Sequence, residues 1–227
     1  MPKSIAIDGP AGAGKSTIAK KVSANLGFIY LDTGAMYRTV ALKAINEGVD
    51  TKSQNDVEKI VENIDITISH ENNTQKIFLD GVDVSEAIRT PEVSAGASNV
   101  AVFKEVRLKL VDLQRKIASD KNVVMDGRDI GSYVLPNADL KIFLTATVDE
   151  RARRRYEELL QKGQKVDFEE VKADMIIRDN NDSSRTFAPL VKAEDAIEVD
   201  STSMTIDEVV EKIMYYYLEA GKTSPLQ

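Results

Sequence analysis

The sequence predicts an α/β fold: a parallel sheet covered by helices on both faces, with two further segments inserted. Three observations support it. An apolar run, Lys3–Asp8, feeds a glycine-rich loop that leads straight into a helical stretch. Short apolar runs then recur between helical stretches at both ends of the chain, the alternation that builds buried parallel strands. A middle segment alternates apolar and polar residues with period two, which marks a hairpin standing apart from that sheet.

In chain order, the strand Lys3–Asp8 is followed by a helix from about Gly14 to Leu26 and a second buried strand in "FIYLD", Phe28–Asp32. A helix from about Gly34 to Ile45 ends near Gly48. Ser53-Gln-Asn-Asp56 and Thr205-Ile-Asp-Glu208 have the spacing of capping boxes, each just before an apolar-periodic run. "DITISH" and "QKIFLD", separated by "ENNT", form the hairpin, with the only histidine, His70, expected at the surface. Thr90-Pro91 opens another helix with proline at its first position. A long helix covers about Phe103–Ser119.

Three more apolar runs read as strands: Val123–Asp126, Leu140–Ala146 and Ala196–Asp200. A charged helical pair fills the stretch between Asp149 and Arg185. The last helix, about Ile206–Leu218, places Ile206, Val209, Val210, Ile213, Met214 and Tyr217 on one face. Tyr215, Tyr216 and Tyr217 point to three different faces, so helix packing accounts for them better than a stacking platform does.

The bulk numbers narrow the class. A chain of 227 residues suits one core with inserted lobes, and 42% apolar with 30% charged residues is ordinary for a soluble protein. There are no cysteines, hence no disulfides and no thiolate metal site. A charged residue by position 8 leaves no room for a signal peptide's apolar core, and no apolar run approaches the roughly 18 residues of a membrane span. The net charge of −7 argues against general nucleic-acid binding. A cytoplasmic protein without nucleic-acid or membrane partners is expected, and an acidic, unpatterned surface is in keeping with the monomer that the resemblance described below implies.

The chemistry starts at the glycine loop. Gly9-Pro10-Ala11-Gly12-Ala13-Gly14-Lys15-Ser16 satisfies G-x-x-x-x-G-K-[ST] in full, with Thr17 following. The glycines let successive backbone N–H groups turn toward phosphate oxygens, and the helix start points its positive end at the same anion. Lys15 adds a cation for the β- and γ-phosphates, and Ser16 a hydroxyl for Mg²⁺. Asp126 ends a hydrophobic strand where a carboxylate would hold hydrated Mg²⁺, or it is a simple turn residue. No guanine-reading Asn-Lys-x-Asp follows a late strand, which counts against a GTPase.

The arginines leave two readings open. Arg151, Arg153, Arg154 and Arg155 crowd one helix start, and Arg178 and Arg185 lie about two turns apart on the next. Acidic neighbours make a solvated, salt-bridged face the ordinary account for most of them. Phosphoryl transfer nonetheless needs cations over the equatorial oxygens, and an arginine-bearing helical pair would bring them.

At "DTGAMYR" the signals converge. The chain resembles the nucleoside monophosphate kinases, and among them the bacterial cytidylate (CMP/dCMP) kinase family. The similar segments are "IAIDGPAGAGKST", "YLDTGAMYR", "IRTPEVSAGAS", "MDGRDIG", "KIFLTA", "ERARRR", "IIRDNNDSSR" and "VDST". The resemblance implies a P-loop nucleoside monophosphate kinase fold: a five-stranded parallel sheet, an inserted monophosphate-binding lobe and a helical lid. The core would comprise 1–32, 104–148 and 186–227. The lobe would span 33–103, with its hairpin at about 64–80, and the lid region 149–185.

Carried over by motif, Gly9 to Thr17 and Arg154 would bind ATP, with Ser16 and, through water, Asp126 on Mg²⁺. Thr33, Arg38 and Arg128 would hold the acceptor phosphate, and Ser98, Arg107 and Asp129 would read cytosine. Arg178 and Asp182 would contact the ribose. Lys15, Arg128, Arg178 and Arg185 would act on the transferring group. Relatives often carry another arginine between Arg178 and Arg185, where this chain has Asn181, Ser183 and Ser184. The implied function is phosphorylation of CMP and dCMP by ATP. A kinase for uridylate or shikimate, or a nucleotide switch without turnover, would share the loop.

Cytosine's chemistry supports the base assignment independently. A carboxylate such as Asp129 accepts from N4, and an arginine donates to N3 or O2. Uracil would set its O4 against that carboxylate and leave a buried acceptor unpaired. The plainer reading of Asp129, without the resemblance, is a turn residue paired with Arg128.

Overall fold

The computed structural model describes residues 2–71 and 74–223. The chain begins with β1 (Ser4–Asp8), α1 (Lys15–Leu26), β2 (Ile29–Asp32), α2 (Thr33–Asn46) and α3 (Gln54–Asn63). Then come β3 (Ile66–Glu71), β4 (Thr74–Leu79), β5 (Val82–Asp83), α4 (Pro91–Val100) and α5 (Lys104–Asp120). It ends with β6 (Val123–Gly127), β7 (Leu140–Thr145), α6 (Val148–Gln161), α7 (Phe168–Ser183), β8 (Ile197–Asp200) and α8 (Ile206–Thr223).

Five strands form one parallel sheet in the order β2-β6-β1-β7-β8. Their near-continuous apolar character follows from burial on both faces. On one face Ile5, Ile7, Val124, Ile142, Leu144 and Val199 pack with Ile18 and Val22 of α1 and Val209, Val210 and Ile213 of α8. On the other, Ala6, Leu31, Val123 and Met125 meet Val111 of α5 and the turn residues Ile130 and Val134. In register, Asp8 stands opposite Gly127 and Asp32 opposite Asp126, so the carboxyl ends of three adjacent strands bring their polar residues to one rim. Open parallel sheets bind ligands at such a rim.

A separate core joins α2, α3 and α4 to the hairpin and the start of α5, with Met36, Val57, Ile60, Ile77, Ile88, Val100 and Leu110 inside it. The hairpin pairs β3 with β4 in antiparallel register, and the residues joining them, 72 and 73 of "ENNT", lie outside the described residues. β5 adds a third strand that the sequence did not suggest. Its two residues are both exposed and carry no periodicity.

The two capping signatures part company. At Thr205 the box closes: Thr205 N–H donates to Glu208 Oε2 at 2.7 Å, and Glu208 N–H to Thr205 Oγ1 at 3.3 Å. Ser53 starts α3 but makes no such box; its hydroxyl donates to Asp56 at 2.7 Å. The reason is local, since the Ser53 N–H is already given to Asp50 O at 2.9 Å. Thr90 caps α4, with Pro91 at its first position as expected.

Three other expectations need correction. Ile206 is 48% exposed, because α8 begins before its apolar face reaches the sheet. Arg185 lies beyond the end of α7 instead of on it. His70 is not a free surface group: its Nε2 bonds Tyr30 O at 2.8 Å, and Gln75 Oε1 accepts from Asp32 N–H at 2.8 Å. These two side chains satisfy the outer edge of β2, where no sixth strand pairs among the described residues.

Candidate active site

The loop from Gly9 to Ser16 leaves β1 against β7. Gly9 has φ 150°, and a Cβ there would lie 1.9 Å from Leu144 O, so no side chain fits. Gly14, at φ 88°, starts α1 without a side-chain cap, which leaves the first amides of the helix free to face an anion. Ala11, Ala13 and Lys15 are buried, while Gly12, Ser16 and Thr17 are exposed. Lys15 Nζ donates to Pro10 O at 2.6 Å. Burial, and then the Arg128 charge, hold its ammonium well below the usual lysine range.

Asp126, at the end of β6, accepts from Ser16 Oγ at 2.8 Å on one oxygen and from Tyr30 Oη at 2.7 Å on the other. Burial, with Asp32 nearby, pushes its carboxyl up. Among the described residues no three His, Cys, Asp or Glu side chains cluster as a metal cage. One hydroxyl beside one carboxylate suits a hard cation that keeps most of its waters and shares the rest with phosphate.

Across the rim stand the arginines. Arg38 Nη2 meets Asp32 Oδ2 at 2.8 Å, while Asp32 Oδ1 caps α2 through Ala35 N–H. Thr33 Oγ1 donates to Asp126 O at 2.7 Å and ties the start of α2 to β6. Arg128 Nε donates to Asp182 Oδ2 at 2.6 Å, and Arg185 Nε to Asp182 O at 3.1 Å. The side chain of Arg178, half-buried, has no hydrogen bond among the described residues. Burial and then the neighbouring Arg128 lower its pKa to about 10, with Arg38 and Arg155 adding to the repulsion. Mutually repelling guanidiniums gathered at one rim form a site for a multiply charged anion.

Deeper in, Arg107 is 1% exposed; its Nη2 donates to Asp129 Oδ2 at 2.5 Å, and Nη1 to Ala101 O at 3.2 Å. Its guanidinium also stacks over the Tyr37 ring at 5.5 Å. Asp129 therefore pairs with Arg107 and not with its neighbour Arg128, which belongs to Asp182. Ser98 lies half-buried in the last turns of α4.

A family model described as Cytidylate kinase matches residues 5–219. The chain belongs to the cytidylate kinase family. A cytidylate kinase of Caldicellulosiruptor bescii is 52% identical over 96% of this chain and 96% of its own. One of Clostridioides difficile is 54% identical over 92% and 95%. A solved gluconokinase from Sinorhizobium meliloti, 12% identical, superposes over 97% of this chain and 94% of its own with a TM-score of 0.51, a likeness of fold alone.

Within this cytidylate kinase family member, the arginines of α6 divide. Arg153 and Arg155 pair with Glu150, Glu157 and Glu158 on an outer face, the solvated role expected of most of the run. Arg154 reaches back: Nε meets Glu150 at 2.8 Å and Nη2 donates to Ser201 O at 2.7 Å. That places its Nη1 3.9 Å from where a Cβ on Gly14 would stand, beside the loop.

For Arg151 the sequence left two readings open, a solvated face or a charge for phosphoryl transfer, and the structure gives it another task. It is buried, and donates to Ala146 O, to Ala11 O at 2.9 Å and to Asp179 Oδ2 at 2.6 Å. Asp179 Oδ1 in turn accepts from Ala11 N–H at 3.4 Å. Both polar groups of the Ala11 residue are thus clamped by one ion pair between α6 and α7. The sequence reading passed over Asp179, although it sits in "RDNND" beside Arg178. Arg151→Ala is expected to raise the KM for ATP about 10- to 100-fold, the value of a charged hydrogen bond set, with the KM for CMP nearly unchanged. Steady-state kinetics varying each substrate in turn check this.

Among the described residues no helix is long and apolar enough to cross a membrane.

Proposed function

We propose that the protein transfers the γ-phosphoryl group of ATP to CMP and dCMP, giving ADP and the cytidine diphosphate. The observation that carries this reading is the buried Arg107–Asp129 pair, which lies close enough to Arg185 and Asp182 of the arginine rim for their charges to interact. A donor–acceptor pair of that kind complements cytosine's N3 and O2 acceptors and N4 donor. Ser98 joins it in reading the base.

In this reading the loop from Gly9 to Thr17, with Arg154, holds the ATP phosphates. Thr33, Arg38 and Arg128 hold the acceptor phosphate, and Arg178 and Asp182 hold the ribose. Segments 33–103 and 149–185 serve as acceptor lobe and lid. The acceptor phosphate oxygen is already anionic, so its attack on the γ-phosphorus needs no general base. A new P–O bond forms as the bond to the β,γ-bridging oxygen breaks, and the electron pair leaves with ADP. Lys15, Arg128, Arg178 and Arg185 neutralise the charge on the transferring group. Mg²⁺, held by Ser16 and through water by Asp126, would add Lewis-acid charge on the β- and γ-oxygens. The protein acts as a cytoplasmic monomer.

The test is coupled phosphoryl transfer with CMP, dCMP, UMP, AMP and shikimate as acceptors. Both cytidine nucleotides should lead by kcat/KM. A faster UMP, AMP or shikimate reaction overturns the base assignment, and ATP hydrolysis indifferent to every acceptor overturns the kinase reading.

A further inference from the structure

Asp8 is the last residue of β1, 4% exposed, and it stands between the two halves of the site. Its Oδ1 accepts from Ile130 N–H at 2.8 Å and its Oδ2 from Gly131 N–H at 2.7 Å. Those are the first amides of the π-helical turn Ile130–Val134, whose N-cap is Asp129. An aspartate at that position ordinarily caps its own turn. Asp129 makes no such bond and sends its carboxylate to Arg107 instead. Asp8, from another strand, has taken over the capping.

The fit beneath the turn is close. A Cβ on Gly131 would lie 3.4 Å from Asp8 Oδ2 and 3.1 Å from Lys141 Cδ. Lys141 of β7 directs its own ammonium away, to Pro136 O and Asp195.

We propose that Asp8 is a positioning residue for base recognition: by capping the 130–134 turn in place of Asp129, it frees the Asp129 carboxylate to pair with Arg107 and face the base. The inference rests on the proposed cytosine reading. With Asp8 unable to accept both amides, Asp129 swings to cap its own turn and leaves Arg107. Recognition of cytosine over uracil then falls, while the ATP side, built on other residues, holds.

The same carboxyl provides a readout that a merely structural role would not move. Burial pushes its pKa up to about 6 against the two backbone hydrogen bonds, with Asp129 adding to the rise and Lys15 opposing it. Above that value both oxygens accept; below it one carries a proton and confronts an N–H donor. Folding raises this pKa, so the group's contribution to stability is fully present below the ordinary aspartate value and is lost as pH rises through about 6. As pH falls, stability from Asp8 therefore grows while its capping weakens, so a loss of selectivity in that window does not come from destabilisation by Asp8.

The experiment measures the ratio of kcat/KM for CMP to that for UMP, together with the KM for ATP. The phosphates of the two acceptors ionise alike and cancel in the ratio. Asp8→Asn should lower the ratio about 10-fold or more, with the KM for ATP within about twofold. Gly131→Ala, which leaves the Asp8 carboxylate intact and crowds Lys141 beneath the turn, should lower it in the same direction. In the wild type the ratio should fall as pH falls through about 6. If Asp8→Asn fails to fold, Gly131→Ala and the wild-type pH profile decide. A wild type that prefers CMP while the variants and pH leave the ratio unchanged overturns the role of Asp8. A wild type without preference for CMP overturns the underlying base assignment instead.

Discussion

Lys15→Met is expected to lower kcat about 1,000-fold while leaving the fold intact or slightly more stable, since removing one preorganised donor from a reacting site costs about 10²–10³ in kcat. Lys15 is 6% exposed, and its ammonium rests on Pro10 O. Burial and Arg128 hold its pKa well below the lysine range, so the folded protein without nucleotide bears a cost for that charge. Bound polyphosphate reverses the balance by supplying the missing anion. A methionine fills similar space without the charge, relieving the unliganded protein and disabling the liganded one. Lys15→Arg should not rescue, because a planar guanidinium cannot occupy a space shaped for a compact ammonium. Thermal unfolding without nucleotide, set beside single-turnover transfer, checks both halves. Parallel losses of melting temperature and rate would refute the assignment.

Much of the geometry of the glycine loop was legible because its signals are local. Gly9, Gly14, Lys15 and Ser16 declare themselves by spacing, since the backbone they specify is built by those same residues. Asp126 needed only its position at the end of an apolar strand, although Tyr30, which binds its other oxygen, gave no sign. Parallel strands buried on both faces announce themselves as apolar runs. β5 escaped notice because two exposed residues carry no pattern.

What could not be read depends on tertiary return. Arg151 sits in a basic run whose other members have the solvated pairs such runs usually have. Its separate role comes from Asp179, 28 residues on, and is created only when α7 folds back over α6. His70 and Gln75 lie on alternating strands that resemble any solvated hairpin, yet they close the edge of β2. Asp129 has a neighbour of opposite charge in Arg128, and sequence proximity made that the plain pairing. The partners are exchanged because Arg107 approaches from α5 to take Asp129, and Asp182 approaches from α7 to take Arg128. In each case the missing information is which distant polar group needs a partner once buried.

Asp129→Asn and Asp129→Ala should separate recognition from stability at one position. Arg107 is 1% exposed, and among the described residues its guanidinium has, besides Asp129, Ala101 O and the Tyr37 ring as partners. Alanine would strand its charge, and breaking such a buried pair costs about 3–5 kcal/mol, lowering the melting temperature clearly. Asparagine keeps an oxygen for Arg107 and turns its NH₂ toward the base, so most of that stability remains. The NH₂ then opposes cytosine N4, a donor, and complements uracil O4, an acceptor. Sites that hydrogen-bond their substrate discriminate by about 10⁴–10⁵, and the Asn variant should surrender most of that ratio between CMP and UMP, or invert it. The kinetic comparison is made on both acceptors at fixed saturating ATP, with thermal unfolding run in parallel. An Asn variant that retains the wild-type ratio would remove Asp129 from base recognition and leave it as the counter-ion of Arg107.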